Sequence, residues 1–269
     1  MIKKTFYILS VLAILAFSHS ASAQMFTDKT KLELKAKPGE TLIENITVYN
    51  TTKEKLDLKV YWQDFIYLPP YDGKKDFLPL GTTPYSLGDA VTFSPKQLIL
   101  PPDGNAKINV SIQIPEAAQN GGYYGVLFYE KTEPAIAPGT GVKIVTRLGT
   151  LFFIETDWRN KSADVQNIKA TAKGLEGSFS NKGNIFLTLK GSFYVLNSDG
   201  MVEDRGETNK LYLTPGAEGT FKFDFSDTLA AGTYTAVITF DLKEGTSVVR
   251  EVDFEKSTDG QVEVIAVRE

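Results

Sequence analysis

The chain has no cysteine and only one histidine, His19. Lys3 and Lys4, an apolar run over residues 6–17 and the small triplet Ala21-Ser22-Ala23 have the form of a cleaved secretory signal covering residues 1–23. His19 leaves with that leader. The mature chain then lacks the two side chains that dominate nucleophile–base pairs, proton shuttling near neutrality and zinc or copper ligation. Disulfides and N-terminal lipidation on cysteine are excluded as well. No later stretch reaches the roughly eighteen apolar residues of a membrane-spanning helix. Basic clusters interleaved with aromatics are missing too, and the 33 acidic residues exceed the basic ones, so nucleic acid is not an expected partner.

Carboxylates remain, but they occupy polar positions of alternating strands or turns, where acids are normally solvated. No catalytic residue is assigned. Asp72, Asp76 and Asp89 share one loop-rich segment, yet their spacing lacks the pattern of a calcium loop. Neither a metal nor a cofactor is expected.

What is present is a duplication. Asn50 is followed six residues later by Leu56-Asp57-Leu58, and Asn181 six residues later by Leu187-Thr188-Leu189. Further on, Leu98-Ile99-Leu100-Pro101 matches Leu211-Tyr212-Leu213-Thr214, and Gly122-Tyr123-Tyr124 matches Gly232-Thr233-Tyr234. The offset falls from 131 in the first pair of blocks to 113 in the second, so the upstream copy carries an insertion, which fits residues 67–91. Two similar domains follow, and the fold of one dictates that of the other.

That fold is all-β. Residues 43–49, 55–65, 107–114 and 142–154 are rich in β-branched and aromatic side chains. Residues 107–114 alternate strictly, with Ile108, Val110, Ile112 and Ile114 on one face. Phe221, Phe223 and Phe225 repeat the pattern downstream. Turn sequences such as Pro102-Asp103-Gly104 and Asn197-Ser198-Asp199-Gly200 separate the runs. About seven strands per copy predict two immunoglobulin-like β-sandwich domains in tandem, at residues 24–160 and 161–269. Trp62 is expected in the first core and Trp158 at the junction between domains.

The blocks of the first domain resemble those of PapD-like periplasmic pilus chaperones. The likeness rests on residues 93–104 with the alternating strand after them, on Gly122-Tyr123-Tyr124-Gly125-Val126-Leu127-Phe128-Tyr129, and on residues 142–153 with their Thr146-Arg147-Leu148 segment. The Gly-Gly-Tyr-Tyr-Gly segment is similar as well to secreted two-domain surface proteins that partner WxL-type proteins. The chaperone resemblance implies an exported protein, periplasmic or at the cell surface, that lends an edge strand to an extracytoplasmic pilus or surface subunit. It places partner contacts at Val142, Ile144, Arg147 and Leu148. It also implies an Arg and a Lys in the interdomain cleft for the subunit's terminal carboxylate. The lysine position falls on Gly149, and Arg147 is the nearby cation on that strand. The insertion offers a second contact surface through Tyr67, Tyr71, Phe77 and Tyr85, long aromatic side chains in a proline-rich segment. The alternative function is a structural or adhesive cell-surface module that binds peptidoglycan, glycan or a matrix protein.

Overall fold

A computed structural model describes residues 24–116, 121–133, 135–136, 141, 143–244 and 246–269. All its extended elements are strands, and they fall into two groups. The first group runs β1 (Met25–Thr27), β2 (Lys31–Ala36), β3 (Thr41–Asn50), β4 (Leu56–Tyr67), β5 (Lys75–Leu78), β6 (Val91–Ser94) and β7 (Gln97–Leu100). It continues with β8 (Asn105–Gln113), β9 (Gly122–Lys131), β10 (Ala135–Ile136), β11 (Lys143–Ile144) and β12 (Arg147–Thr156). The second runs β13 (Ala163–Ala170), β14 (Gly174–Asn181), β15 (Leu187–Leu189), β16 (Gly191–Leu196), β17 (Val202–Glu207) and β18 (Leu211–Leu213). After these come β19 (Glu218–Asp224), β20 (Gly232–Asp241), β21 (Ser247–Lys256) and β22 (Val262–Arg268).

Each group is a β-sandwich. In the first, the sheet β1-β3-β8-β6 faces the sheet β2-β12-β9-β4-β5, with β7 also paired to β4. The inward residues of β8 (Ile108, Val110, Ile112) meet those of β4 (Leu56, Leu58, Val60, Trp62) in one dry core. Alternation along each strand puts one face there and leaves the other for solvent or the neighbouring domain. Trp62 is buried and tilts onto Phe152 at 4.9 Å. Gly125 gives it room: a Cβ there would stand 2.4 Å from the indole. In the second domain, Phe221, Phe223 and Phe225 are all buried in a separate core.

The repeated blocks fold into equivalent strand pairs. Leu56 faces Leu100 and Leu58 faces Leu98 across β4 and β7; Leu187 faces Leu213 and Leu189 faces Leu211 across β15 and β18. The repeated asparagines explain why the blocks persist. Asn50 is buried; its Nδ2 donates to Glu54 O at 2.7 Å and Pro101 O at 2.8 Å, while its Oδ1 accepts from Thr52 N at 2.9 Å. Asn181 does the same work in the second copy, donating to Ile185 O (2.8 Å) and Leu213 O (3.1 Å) and accepting from Gly183 N (3.0 Å). In both, one amide satisfies the main chain where the pair of strands opens.

Two expectations need correction. Residues 142–154 do not form one continuous strand: a break at Val145 and Thr146 separates β11 from β12. Trp158 is 60 % exposed rather than packed between domains; its carbonyl accepts from Asn184 Nδ2 at 2.8 Å and its main-chain N–H donates to Thr156 Oγ1 at 3.3 Å. The short turn expected over residues 117–119 lies outside the described residues.

Asn50→Ala and Asn181→Ala each strand buried carbonyls, so each is expected to lower stability by about 1–3 kcal/mol. Chemical denaturation followed by Trp62 fluorescence in the first domain, and by amide exchange in the second, checks that each loss is confined to its own copy.

Candidate partner cleft

The alternation that buries Leu56, Leu58, Val60 and Trp62 sends Tyr61, Phe65 and Tyr67 to the outer face of the same sheet. Tyr124, Val126 and Phe128 of β9, Phe153 of β12 and Phe77 of β5 lie on that face too. It is not a solvent face. Phe186 and Tyr212 of the second domain pack into it, and the Tyr67 ring stacks on both, at 4.8 Å and 5.1 Å between centroids. Phe186 also stacks on Phe153 at 4.9 Å. The insertion completes the joint. Tyr71, at φ 66°, accepts a main-chain bond from Tyr212 N at 3.0 Å. Gly73, at φ +112°, lies against the Tyr212 ring, where a Cβ would come within 3.1 Å. The Tyr67 hydroxyl is pushed well above its ordinary range by burial, with Tyr212 adding to the effect.

Cations lie across this aromatic floor. The Arg147 guanidinium sits over Phe128 at 4.4 Å and Phe77 at 4.9 Å. Lys75 Nζ lies 4.7 Å from the Tyr67 centroid and donates to Gly73 O at 3.1 Å; Lys31 Nζ lies 5.0 Å over Phe153 and pairs with Glu33. Burial, and then the charge of Lys31, hold the Lys75 ammonium below its usual range. Among the described residues, neither Lys75 nor Arg147 has a carboxylate at ion-pair distance. The cleft therefore offers positive charge in partly desolvated surroundings, where a carboxylate gains most.

Beside the cleft runs an incomplete edge. β2 pairs in parallel with β12 from Leu151 to Thr156, opposite Lys31 to Ala36. Over residues 147–149 the same edge of β12 meets no strand among the described residues. Ile144 and Val145 stand just before it, 50 % and 52 % exposed, and among the described residues β11 pairs only with β10. Leu148 turns inward and packs on the first core. Val142, the remaining residue of the expected binding strand, lies outside the described residues.

The four insertion aromatics are found at the joint and on the floor. Tyr67 is buried between the domains, Tyr71 meets the second domain through its carbonyl, Phe77 lies under Arg147, and Tyr85 stacks on Tyr124 at 5.1 Å. Asp64 explains how the insertion is held. Fully buried at the end of the inward-facing row of β4, it accepts from Thr82 N (2.9 Å), Thr83 N (3.1 Å) and Ser86 Oγ (2.8 Å). An acid at an inward strand position was a legible signal for such an anchor. Lys31, Lys75 and Phe186 carried none, since their meeting joins three distant segments.

On the far side of Phe153 and Phe186 the domains enclose a cavity of about 320 Å³. Its rim is ionic. Glu244, in the turn after β20, pairs with Lys35 of β2, with Arg159 Nε at 3.4 Å and with Lys161 Nζ at 3.4 Å. Those three cations, Lys35 first, hold the Glu244 carboxyl down to about 2. Among the described residues, no cluster of three or more acidic, histidine or cysteine side chains suits a metal ion.

No family model matches the chain, and no curated protein matches it either. Solved structures do. A chaperone–tip adhesin complex of CFA/I fimbriae matches at a TM-score of 0.51 and 16 % identity, over 84 % of this chain and 97 % of the other. The class 5 fimbrial chaperone CfaA matches at 0.50 and 17 %, over 90 % and 100 %. At such identity the likeness establishes the fold: the chain has the two-domain β-sandwich architecture of PapD-like chaperones.

Two outcomes are expected. Tyr67→Ala removes the ring shared by both domains, at a cost of about 3–5 kcal/mol; small-angle scattering then reports a loss of the fixed interdomain angle. Because the Glu244 pKa is depressed, its contribution is complete above the ordinary carboxylate range and is lost progressively as pH falls from that range through about 2. A carbon-detected titration of its side chain reads that midpoint, and Lys35→Ala moves it upward.

Proposed function

We propose that this PapD-like chain is an exported, non-catalytic chaperone-like protein that takes up a strand of an extracytoplasmic surface subunit. The observation that supports this most is the edge of β12 left open over residues 147–149, with Ile144 and Val145 exposed directly before it. An open edge presents unpaired main-chain groups. A partner strand gains affinity by bonding to them and specificity from the alternating side chains beside them. Ile144 is the side chain offered to the partner, while Leu148 anchors the strand to its own core. Because β2 occupies the edge from Leu151 onward, an added strand ends there, next to Lys31.

The cleft charge sets the direction of that strand. Lys31 lies at the closed end over Phe153 and Lys75 farther across the same floor over Tyr67, so a partner strand running parallel to β12 brings its terminal carboxylate toward them. They supply the positive charge that Gly149 lacks. Arg147, spread over Phe77 and Phe128, holds the start of β12 against the floor and orients the open edge. The similar structures, a fimbrial chaperone and a chaperone–adhesin complex, accord with this role. The signal-like leader accords with an address outside the cytoplasm, in the periplasm or at the cell surface.

Ile144→Asp is expected to abolish binding of a synthetic strand-forming peptide of alternating valine and threonine, with the thermal midpoint unchanged. Lys75→Ala is expected to weaken the free-carboxylate peptide about tenfold or more and leave its C-terminal amide unaffected. Equal binding by wild type and Ile144→Asp, measured by calorimetry, defeats the proposal.

A further inference from the structure

The five-stranded sheet of the second domain has two edges of opposite character. β17 ends it on one side with Glu203, Asp204, Arg205 and Glu207, charges of the kind that keep an edge from pairing. β22 ends it on the other with Val262, Val264, Ile265, Ala266 and Val267, and carries neither lysine nor proline. Ile265 is 59 % exposed and Val267 46 %. β13 of the facing sheet is tied to β21 by Arg250, whose Nε donates to Val165 O at 3.1 Å, but it pairs with β14 and not with β22. Among the described residues, the outer main-chain groups of β22 therefore have no strand to bond to.

The outer face beside this edge is acidic. Val252 and Phe254 of β21 are buried, so Glu251, Asp253 and Glu255 alternate to the other side, and Glu263 stands directly opposite Glu255. Like charges so placed repel. Arg268 answers Glu251, at 3.2 Å, and Asp253. Lys256 is engaged elsewhere, its Nζ donating to Leu229 O at 2.6 Å. Among the described residues, neither Glu255 nor Glu263 has a cation at ion-pair distance. The bulge at Ile265 helps to build this face. Glu263 and Arg268 are an odd number of residues apart and would point to opposite faces of a regular strand; the extra residue brings both to the acidic one. The bulge thus leaves an apolar side chain in water rather than a charge that would guard the edge.

We infer that β22 is a second docking edge, which takes up a partner protein's strand carrying lysine or arginine on one face and apolar side chains on the other. Main-chain bonds to the free edge supply affinity, and the side chains beside it supply selection. The partner's cations meet Glu255 and Glu263 and relieve their repulsion, and its apolar side chains cover Ile265 and Val267. This preference is the reverse of that at β12, where Lys31, Lys75 and Arg147 stand. Charge therefore sorts strands between the two edges, and the proposal for β22 stands apart from strand capture at β12.

The test uses the full mature chain and two C-terminally amidated peptides, one of alternating valine and lysine and one of alternating valine and glutamate, with binding read by calorimetry. The valine–lysine peptide is expected to bind about tenfold or more tightly than the other, and less tightly as salt is raised. Ile265→Lys is expected to remove that binding, and Glu263→Lys to weaken it about tenfold or more. Both side chains are exposed, so the fold is retained, and Glu263→Lys, which ends the repulsion with Glu255, leaves the thermal midpoint unchanged or higher. Ile144→Asp, which alters the other edge, is expected to leave the valine–lysine peptide bound. Equal affinity for the two peptides, or binding that survives Ile265→Lys, overturns the proposal. So does loss of binding in Ile144→Asp, which assigns the peptide to β12. Sedimentation showing wild-type dimers that Ile265→Lys dissociates also overturns it, because the occupant of β22 is then a second copy of the chain.

Discussion

The outer face of one sheet in the first domain governs the rest of the molecule. A strand alternating toward its own core sends every second side chain the other way, and here those side chains are aromatic rather than polar. Left in water, such a face is an aggregation hazard. Covered by Phe186 and Tyr212, it becomes a joint, with Tyr67 stacked on both rings. The covering is incomplete, and the uncovered part is the cleft. Tyr67 and Phe153, which bind the second domain, carry Lys75 and Lys31 on their faces, and Arg147 lies over Phe77 and Phe128 of the same floor. Domain orientation and the charge of the cleft therefore share one aromatic floor.

The duplication shows what the two copies were free to change. Both keep a buried asparagine that serves as main-chain partner where two leucine-lined strands part, because the amide replaces bonds that the strands no longer make. The first copy adds the insertion, tied to the sandwich by Asp64 and containing the edge strand β5. That addition supplies Tyr71 and Gly73 to the joint and Phe77 and Lys75 to the floor. A segment that reads as a surface loop is instead the part of the first domain that builds its cleft. The ionic cluster around Glu244 closes the opposite side. Its charges are exposed enough that it contributes geometry more than energy.

Much of the architecture could be read from the chain alone. Strict alternation over residues 107–114 and the three phenylalanines at 221, 223 and 225 specify strands with one buried face. The repeated asparagine and leucine blocks specify two similar sandwiches, and the lack of cysteine, with a single histidine at position 19, narrows the chemistry. These are local facts of period and composition, and a one-residue slip of register would expose each core. The break at Val145 and Thr146 and the exposure of Trp158 escaped because apolar character does not reveal which neighbour a residue meets. The open edge depends on where β2 stops pairing with β12. The cleft cations depend on Lys31, Lys75 and Arg147 reaching one face from strands far apart in sequence. The cavity depends on the angle between two domains. Periodicity along the chain determined which residues point inward; only the packing of distant strands and of one domain on the other decided which outward-facing residues stand together, because that is set by contacts across the fold that no local pattern encodes.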